Sequence, residues 1–238
     1  MMRLDKLLSH MGFGSRTQVK ELIKKGRVTV DGAVCRDGAL DVEGRNVTLD
    51  GKPVENVKAF HLMLHKPSGV VTAADDPKQK TVMDLMPPKY RQSGCMPVGR
   101  LDKDTTGLLV LTTDGELAHR LISPKRHVQK IYEVNTWDDL KPEDVIAFEK
   151  GIQLKDFTAL PAQLDIEDAR FARVTVFEGK YHQVKRMFIA CGNAVVKLHR
   201  ATFGPLQLDQ NLLPGMFREL TEDEVNSLYT AAGLERKP

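Results

Sequence analysis

The sequence predicts an α+β protein with two domains, a small one at the N-terminus and a larger one built on a mixed, mainly antiparallel sheet. The first observation behind this prediction is that two helical patterns, followed by short strands, occupy the start of the chain. The second is that the rest of the chain alternates short strands with few helices, an order typical of antiparallel sheets. The chain has 238 residues, which is enough for either domain to bury a core.

Local patterns predict each N-terminal element. Apolar residues recur at helical spacing over residues 4–11, and Ser15 with Gln18 forms a capping-box pattern that opens a second helix. Residues 27–30 are typical of a short strand, and Asp31-Gly32 is typical of a hairpin turn. We therefore expect two short helices followed by small strands.

A basic surface is expected on this first domain. Residues 1–27 contain seven Lys and Arg side chains against two acidic ones, whereas the whole chain has a formal net charge of only +3. Such a face suits a phosphate backbone, although a merely solvated helical surface would have the same composition. The candidate contacts are Arg3, Lys6, Arg16, Lys20, Lys24, Lys25 and Arg27.

The domain boundary is predicted in a polar segment. Residues 51–59 include a proline and predict a linker, so we place the domains at residues 1–58 and 59–238. In the second domain, strand patterns occur at residues 60–65, 108–113, 130–134 and 173–176, and a helical pattern occurs at residues 183–190.

Composition argues against several classes of protein. The hydrophobic content of 41% and charged content of 28% are ordinary for a soluble protein. No apolar run approaches the roughly 18 residues of a membrane span, and the first residues lack the features of a secretory signal. Cys35, Cys95 and Cys191 form neither a CxxC pair nor a disulfide framework. We therefore expect a cytoplasmic protein with no membrane association and no metal site.

Four segments carry the candidate chemistry, and each also has an ordinary structural interpretation. Asp102, in GRLDKDTTG, suits a turn or a cap, and Tyr132 suits core packing on a strand. Lys185 and its basic neighbours suit the end of a helix. The segments are residues 65–69, 97–102, 130–132 and 178–188.

The N-terminal sequence MRLDKLLSHMGFGSRTQVKELIKKGRVTVDG resembles an S4 domain over roughly residues 2–50. The S4 domain is an RNA-binding module. The resemblance implies that the basic face binds RNA, but it specifies no chemistry.

The second domain resembles the RsuA group of pseudouridine synthases. The series VGRLDKDTTGLLVLTTDGELAHRLISP, KIY, EGKYHQVKRMF and GNAVVKLHR spans most of residues 60–204. The resemblance implies a central cleft with Asp102 as the nucleophile and Tyr132 as the ring that stacks on the target base. It also implies that Lys185 pairs with Asp102, although the adjacent Arg186 leaves that pairing open. The further pocket residues that it implies are Arg100, His182, Gln183, Arg186 and Leu198.

The reaction of this family accounts for these residue types. Converting uridine to pseudouridine breaks the N1–C1′ bond, rotates the base and forms a C5–C1′ bond without a redox step, so neither a metal nor a nucleotide cofactor is implied. An ionised carboxylate can attack the sugar or the base, or abstract a proton, and a nearby cation keeps it ionised and oriented. An aromatic ring holds the flipped base by stacking, worth roughly 1–3 kcal/mol.

The resemblance also suggests a substrate. The stretches DDPKQKTVMDLM and EGKYHQVKRMF suggest 16S small-subunit ribosomal RNA, at uridine 516, either free or in a pre-30S particle, and we expect the enzyme to act as a monomer. The alternatives are a 23S rRNA synthase, a non-catalytic S4-domain ribosome-assembly factor and an RNA N-glycosidase, which would release the free base.

Overall fold

A computed structural model describes residues 2–54 and 59–236. The chain forms two compact units, the first made of residues 1–60 with 86–96 and the second of residues 61–85 with 97–238. Within the predicted linker at residues 51–59, Lys52–Pro53 forms a strand of the first unit instead, and residues 55–58 lie outside the described residues. The domain boundary at residue 58 therefore stays a prediction.

In the first unit, two helices pack on a small antiparallel sheet, and a short third helix comes from residues 86–96. Ser15 accepts a hydrogen bond from the backbone N–H of Gln18, whose side chain accepts one from the backbone N–H of Ser15, as the capping-box pattern predicts. The core is made by the apolar stripes of both helices against the strand residues that point inward, such as Val28 and Leu49. The sheet has the order β2-β1-β3-β4. The elements are α1 (Leu4–His10), α2 (Arg16–Lys24), β1 (Val28–Val30), β2 (Ala33–Val34), β3 (Val47–Leu49), β4 (Lys52–Pro53) and α3 (Pro88–Gln92).

The strands of the second unit follow the alternation of the sequence. They are β5 (His61–Lys66), β6 (Met96–Pro97, beginning one residue before the unit), β7 (Thr106–Thr112), β8 (Lys130–Thr136), β9 (Ile152–Gln153), β10 (Thr158–Ala159), β11 (Gln163–Asp168), β12 (Phe171–Val176), β13 (Val195–Phe203), β14 (Leu206–Gln207) and β15 (Phe217–Glu219). The helices are α4 (Gly115–Ile122), α5 (Pro142–Lys150), α6 (Gln183–Ala190) and α7 (Glu222–Ala232), with short 3-10 turns at Val82–Leu85 and Pro124–Arg126.

One large sheet organises the second unit, with the strand order β11-β12-β8-β13-β7-β5-β15. Neighbouring strands along this path are antiparallel except β13 and β7, which are parallel and pair at only two positions. Gly107 is required at this junction, because a Cβ there would collide with the carbonyl oxygen of Arg200, and its φ of +107° is unfavourable for other residues. The α+β class and the mixed, mainly antiparallel sheet are confirmed.

Helices pack against this sheet. The α4 and α7 helices pack on one side against Met63, Leu108 and Val110. Phe148 of α5 and Phe188 of α6 are also fully buried, with ring centroids 5.0 Å apart. In the described ranges, no helix combines the length and apolar character needed to cross a membrane.

Candidate active site

Asp102 lies in the loop that leads into β7. Its side chain is 24% exposed, so the carboxylate is reachable from the cleft. The loop is fixed on both sides of it: the Thr72 hydroxyl donates to the carbonyl oxygen of Leu101 at 2.8 Å, and the backbone N–H of Thr105 donates to that of Asp102 at 3.2 Å. The carboxylate is therefore presented by a loop that hydrogen bonds hold on both sides of Asp102.

Lys66 holds the same loop from inside the protein. Its side chain is fully buried, and its ammonium group donates to the carbonyl oxygens of Pro67, Lys103 and Thr105 at 3.1, 3.1 and 2.8 Å. Burial lowers the pKa of Lys66 to about 8, an effect that the nearby carboxylate of Asp104 partly opposes. Two of the three ammonium donors bond to the Asp102 loop and the third bonds to Pro67, so Lys66 ties the loop to the end of β5 and acts on the position of Asp102.

Lys185, in the first turn of α6, faces two carboxylates. Its Nζ lies 3.2 Å from Oδ2 of Asp102 and 2.6 Å from Oδ1 of Asp104. Burial tends to lower the pKa of Lys185, but hydrogen bonds to Asp104 and Asp102 outweigh it and raise the pKa above its ordinary value. The group is therefore a cation at neutral pH, in contact with the predicted nucleophile.

Arg186 points elsewhere. Its guanidinium pairs with Asp156 and lies over the ring of Phe157, 5.0 Å from the centroid. Of the two adjacent cations, the structure places Lys185 beside Asp102.

Two further predicted residues near the start of α6 have different partners. His182, with a left-handed φ of 50°, places Nε2 3.4 Å from Oδ1 of Asp102 and stacks on the ring of Tyr181 with centroids 3.8 Å apart. Gln183 is buried and donates to Oε1 of Glu178 at 2.8 Å, so its amide fixes the chain before the helix.

Tyr132 and Leu198 complete the pocket from the sheet. Tyr132 on β8 is 9% exposed and Leu198 on β13 is 7% exposed. Both line one pocket with Asp102 and the exposed Arg100, and the pocket continues into a cleft of about 650 Å³. The predicted catalytic residues therefore meet, although they come from a loop, a strand and a helix.

The seven predicted RNA contacts are all exposed on the first unit. Arg16, Lys20 and Lys24 follow each other at intervals of four residues on α2 and so share one face. Arg3 pairs with Asp5 at 2.8 Å and Arg27 with Asp50 at 2.5 Å. Their role in RNA binding stays a prediction.

Several cations and one carboxylate of the site were not predicted. Lys66 and Asp104 lie within the motifs HKPSG and RLDKD, and Lys130 precedes Tyr132 in KIY. Arg200 ends the motif KLHR. Their type and position in the motifs were visible, but their burial was not. In residues 2–54 and 59–236, no three His, Cys, Asp or Glu side chains are placed to share a metal ion.

Comparison with known protein families matches both parts of the chain. The family model described as RNA pseudouridylate synthase matches residues 61–190, and the S4 domain model matches residues 2–44.

Full-length relatives agree with these matches. "Uncharacterized RNA pseudouridine synthase YtzG" of Bacillus subtilis is 44% identical, with 95% of this chain and 98% of the relative covered. "Ribosomal small subunit pseudouridine synthase A" of Escherichia coli is 41% identical over 95% of this chain and all of the relative. A solved structure described as a pseudouridylate synthase superposes with a TM-score of 0.68 at 35% identity and covers 96% of this chain and all of its own.

Proposed function

The chain belongs to the RNA pseudouridylate synthase family, and we propose that it converts a uridine of 16S small-subunit ribosomal RNA to pseudouridine. The support for the small subunit is the name of relatives such as that of Escherichia coli, matched along their whole length. Uridine 516 is the position we propose by resemblance. The N-terminal S4 domain provides a second RNA-binding element.

One observation carries the proposed catalytic roles. The Asp102 carboxylate lies 3.2 Å from the Lys185 ammonium in a pocket that Tyr132 and Leu198 also line. A reactive carboxylate, an orienting cation, a buried ring and an apolar wall are the groups that covalent isomerisation of a flipped base requires.

The reaction assigns one task to each of these groups. Asp102 attacks the nucleotide or removes a proton from it, the N1–C1′ bond breaks, and the base rotates so that C5 bonds to C1′. The proton on C5 is then lost and N1 gains one, so the product has the mass of the substrate. Tyr132 holds the base by stacking while it rotates, and Leu198 bounds the apolar side of the pocket. Lys185 orients the carboxylate.

The test is a map of pseudouridine in total ribosomal RNA. Cells with the gene deleted are compared with cells that carry the wild-type gene or the Asp102→Asn variant. We expect one pseudouridine of 16S rRNA to be missing from the deletion strain and from the variant strain.

Three other outcomes would contradict the proposal, each differently. Loss of a site in 23S rRNA would assign the large subunit as substrate. Unchanged maps with altered subunit assembly would favour an assembly factor. An abasic position in place of pseudouridine would indicate an N-glycosidase.

We further propose that the enzyme works as a monomer in the cytoplasm, on 16S rRNA in a pre-30S particle. Support comes from the absence of paired cysteines in the sequence and from the second RNA-binding domain. Sedimentation of the purified protein tests the first point. Single-turnover rates on naked 16S rRNA and on assembling particles test the second, and we expect the particle to react faster.

A further inference from the structure

The inner part of the cleft contains two buried cations. Lys130 lies two residues before Tyr132 on β8, so their side chains share one face of the sheet. Arg200 on β13 pairs with Tyr132 across the strands, and Phe203 pairs with Lys130. This register brings both cations to the face that carries the predicted stacking residue.

These cations are more buried than the predicted catalytic residues. Lys130 is 6% exposed and Arg200 is 3% exposed. Both lie near the ring of Phe203, the guanidinium carbon at 4.9 Å from its centroid and the ammonium nitrogen at 5.9 Å. Nε of Arg200 donates to the carbonyl oxygen of Leu108 at 2.8 Å, which fixes the guanidinium plane.

Part of the hydrogen-bonding capacity of Arg200 is unused. Nη2 of Arg200 is buried and has no hydrogen-bond partner in the described part of the chain. A buried donor without a partner destabilises the folded state, so each one in a native protein calls for an explanation, such as a ligand that bonds to it. The donor therefore indicates that this end of the cleft is shaped for an acceptor.

The charge balance around them is positive. Glu178 is the acidic residue near them. Its Oε1 accepts hydrogen bonds from the backbone N–H of Leu160 and from Nε2 of Gln183, both at 2.8 Å. Its Oε2 lies 3.3 Å from Nζ of Lys180. Its charge is thus engaged by other groups. Burial, and then the charge of Arg200, lower the pKa of Lys130 to about 8, although Glu178 acts in the opposite direction.

The position of the pair selects the anion. Lys130 and Arg200 line the same cleft of about 650 Å³ as Asp102, Tyr132 and Arg100. In a flipped nucleotide the uracil is neutral, and the charged groups that accompany it are the phosphodiesters on either side. A guanidinium and an ammonium are the side chains that bind phosphate oxygens.

We propose that Lys130 and Arg200 form a phosphate subsite that binds one backbone phosphodiester beside the target uridine and so positions its ribose over Asp102. This inference rests on the proposed function, because it needs a flipped uridine in the cleft. The phosphate contact would fix the backbone, and stacking on Tyr132 would fix the base. Together the two contacts would determine where C1′ lies.

The first arm of the experiment removes the charge from the RNA instead of from the protein, so its outcome does not depend on the folding of a variant. A short RNA that contains the mapped target uridine is made with a neutral methylphosphonate at the phosphate 5′ or 3′ of that uridine. Affinity and single-turnover rate are measured with the wild-type protein and with Lys130→Met. The matched control is Lys197→Met, which removes an exposed charge from β13.

With the wild-type protein, we expect one of the two replacements to weaken binding about tenfold, the size of one charge-assisted hydrogen bond, while the other has little effect. Lys130→Met should bind the unmodified RNA about tenfold more weakly than the wild-type protein does, and the methylphosphonate should weaken its binding no further. Lys197→Met should lose as much affinity on that replacement as the wild-type protein does. Non-additivity of this kind identifies a direct contact.

The proposal is overturned if neither replacement changes binding or rate by more than about twofold, or if the effects of the replacement and of Lys130→Met simply multiply. Competition by inorganic phosphate alone, without sensitivity to the RNA replacements, would show a general anion site and also contradict it. The proposed function fails separately, when deletion of the gene removes no pseudouridine from 16S rRNA.

Discussion

The seven basic side chains of residues 3–27 are all exposed, whereas Lys66, Lys130 and Arg200 of the second unit are each no more than 6% exposed. In the first unit even an ion pair such as Arg27 with Asp50 leaves both side chains nearly half exposed. In the second unit, carbonyl oxygens fix two of these cations: three bind Lys66 and one binds Arg200.

This difference separates two uses of positive charge. Exposed cations are screened by salt and are mobile, so they attract a polyanion without fixing the position of any one atom. Buried cations are costly to place, but they hold their partners in one geometry. We infer that the first unit contributes mainly affinity and the second contributes the chemical step.

Asp102→Asn should have the largest effect. It keeps the shape of the side chain but removes the charge and the nucleophile, so we expect pseudouridine formation to fall at least about a thousandfold, while RNA binding survives. Asp104→Asn is the matched control, because Asp104 also binds Lys185 but is 71% exposed. Single-turnover rates that fall equally in both variants would remove the special role of Asp102.

Lys185→Met should have the next largest effect. The carboxylate of Asp102 loses its partner at 3.2 Å, and we expect a rate loss of about a hundredfold. Arg186→Met removes a neighbouring charge that pairs with Asp156, so the loss should be within about fivefold. The reverse order of the two single-turnover rates would assign the pairing to Arg186.

Substitutions of Tyr132 distinguish a role in stacking from a role in proton transfer. Tyr132→Leu removes the ring and should lower the single-turnover rate by roughly ten- to a hundredfold, the size of a lost stacking contact. Tyr132→Phe keeps the ring and should stay near the wild-type rate. A collapse with Phe would give the hydroxyl a part in the reaction, and an active Leu variant would make Tyr132 a packing residue.

Lys66→Met tests the buried cation beneath the catalytic loop. The variant leaves three carbonyl oxygens without their donor, so we expect the free energy of unfolding to fall by about 2 kcal/mol. Lys103→Met, in the same loop but exposed, should change it by less than about 0.5 kcal/mol. Urea denaturation measures both, and equal stabilities would mean that the loop is held by its backbone alone.

Sequence patterns predicted the elements whose signals are local. The helix at Gln183–Ala190 has the predicted bounds, and the capping box at Ser15 is present. The helices α5 and α7 were not predicted, although Pro142 and the Thr221–Glu224 capping box mark their starts.

Long-range features of the site could not be predicted from single segments. The parallel contact of β13 with β7 joins residues about 93 positions apart, and no local pattern encodes it. Lys66 and Arg200 are buried because of that contact and the strand pairings beside it. In the sequence alone, both are ordinary basic residues. The resemblance of ordered motifs brought Asp102, Tyr132 and Lys185 together because it carries long-range information that periodicity lacks.

The division between affinity and chemistry is tested most directly by charge reversal on α2. Removing residues 1–58 would be less clean, because residues 86–96 belong to the same unit, where Tyr90 lies edge-on to Phe60. The better variant is the triple substitution Arg16→Glu, Lys20→Glu and Lys24→Glu. Its matched control reverses three exposed charges of the second unit, Lys150, Lys155 and Lys197.

The measurement is the single-turnover rate of pseudouridine formation against RNA concentration, at two salt concentrations. We expect the α2 variant to need more RNA for half-saturation, with a salt dependence shallower by about 2 in the log–log slope, and to reach a rate within about threefold of wild type at saturation. The control should shift affinity less. A variant with normal affinity and salt slope, or one that binds normally but reacts far more slowly at saturating RNA, would contradict the account.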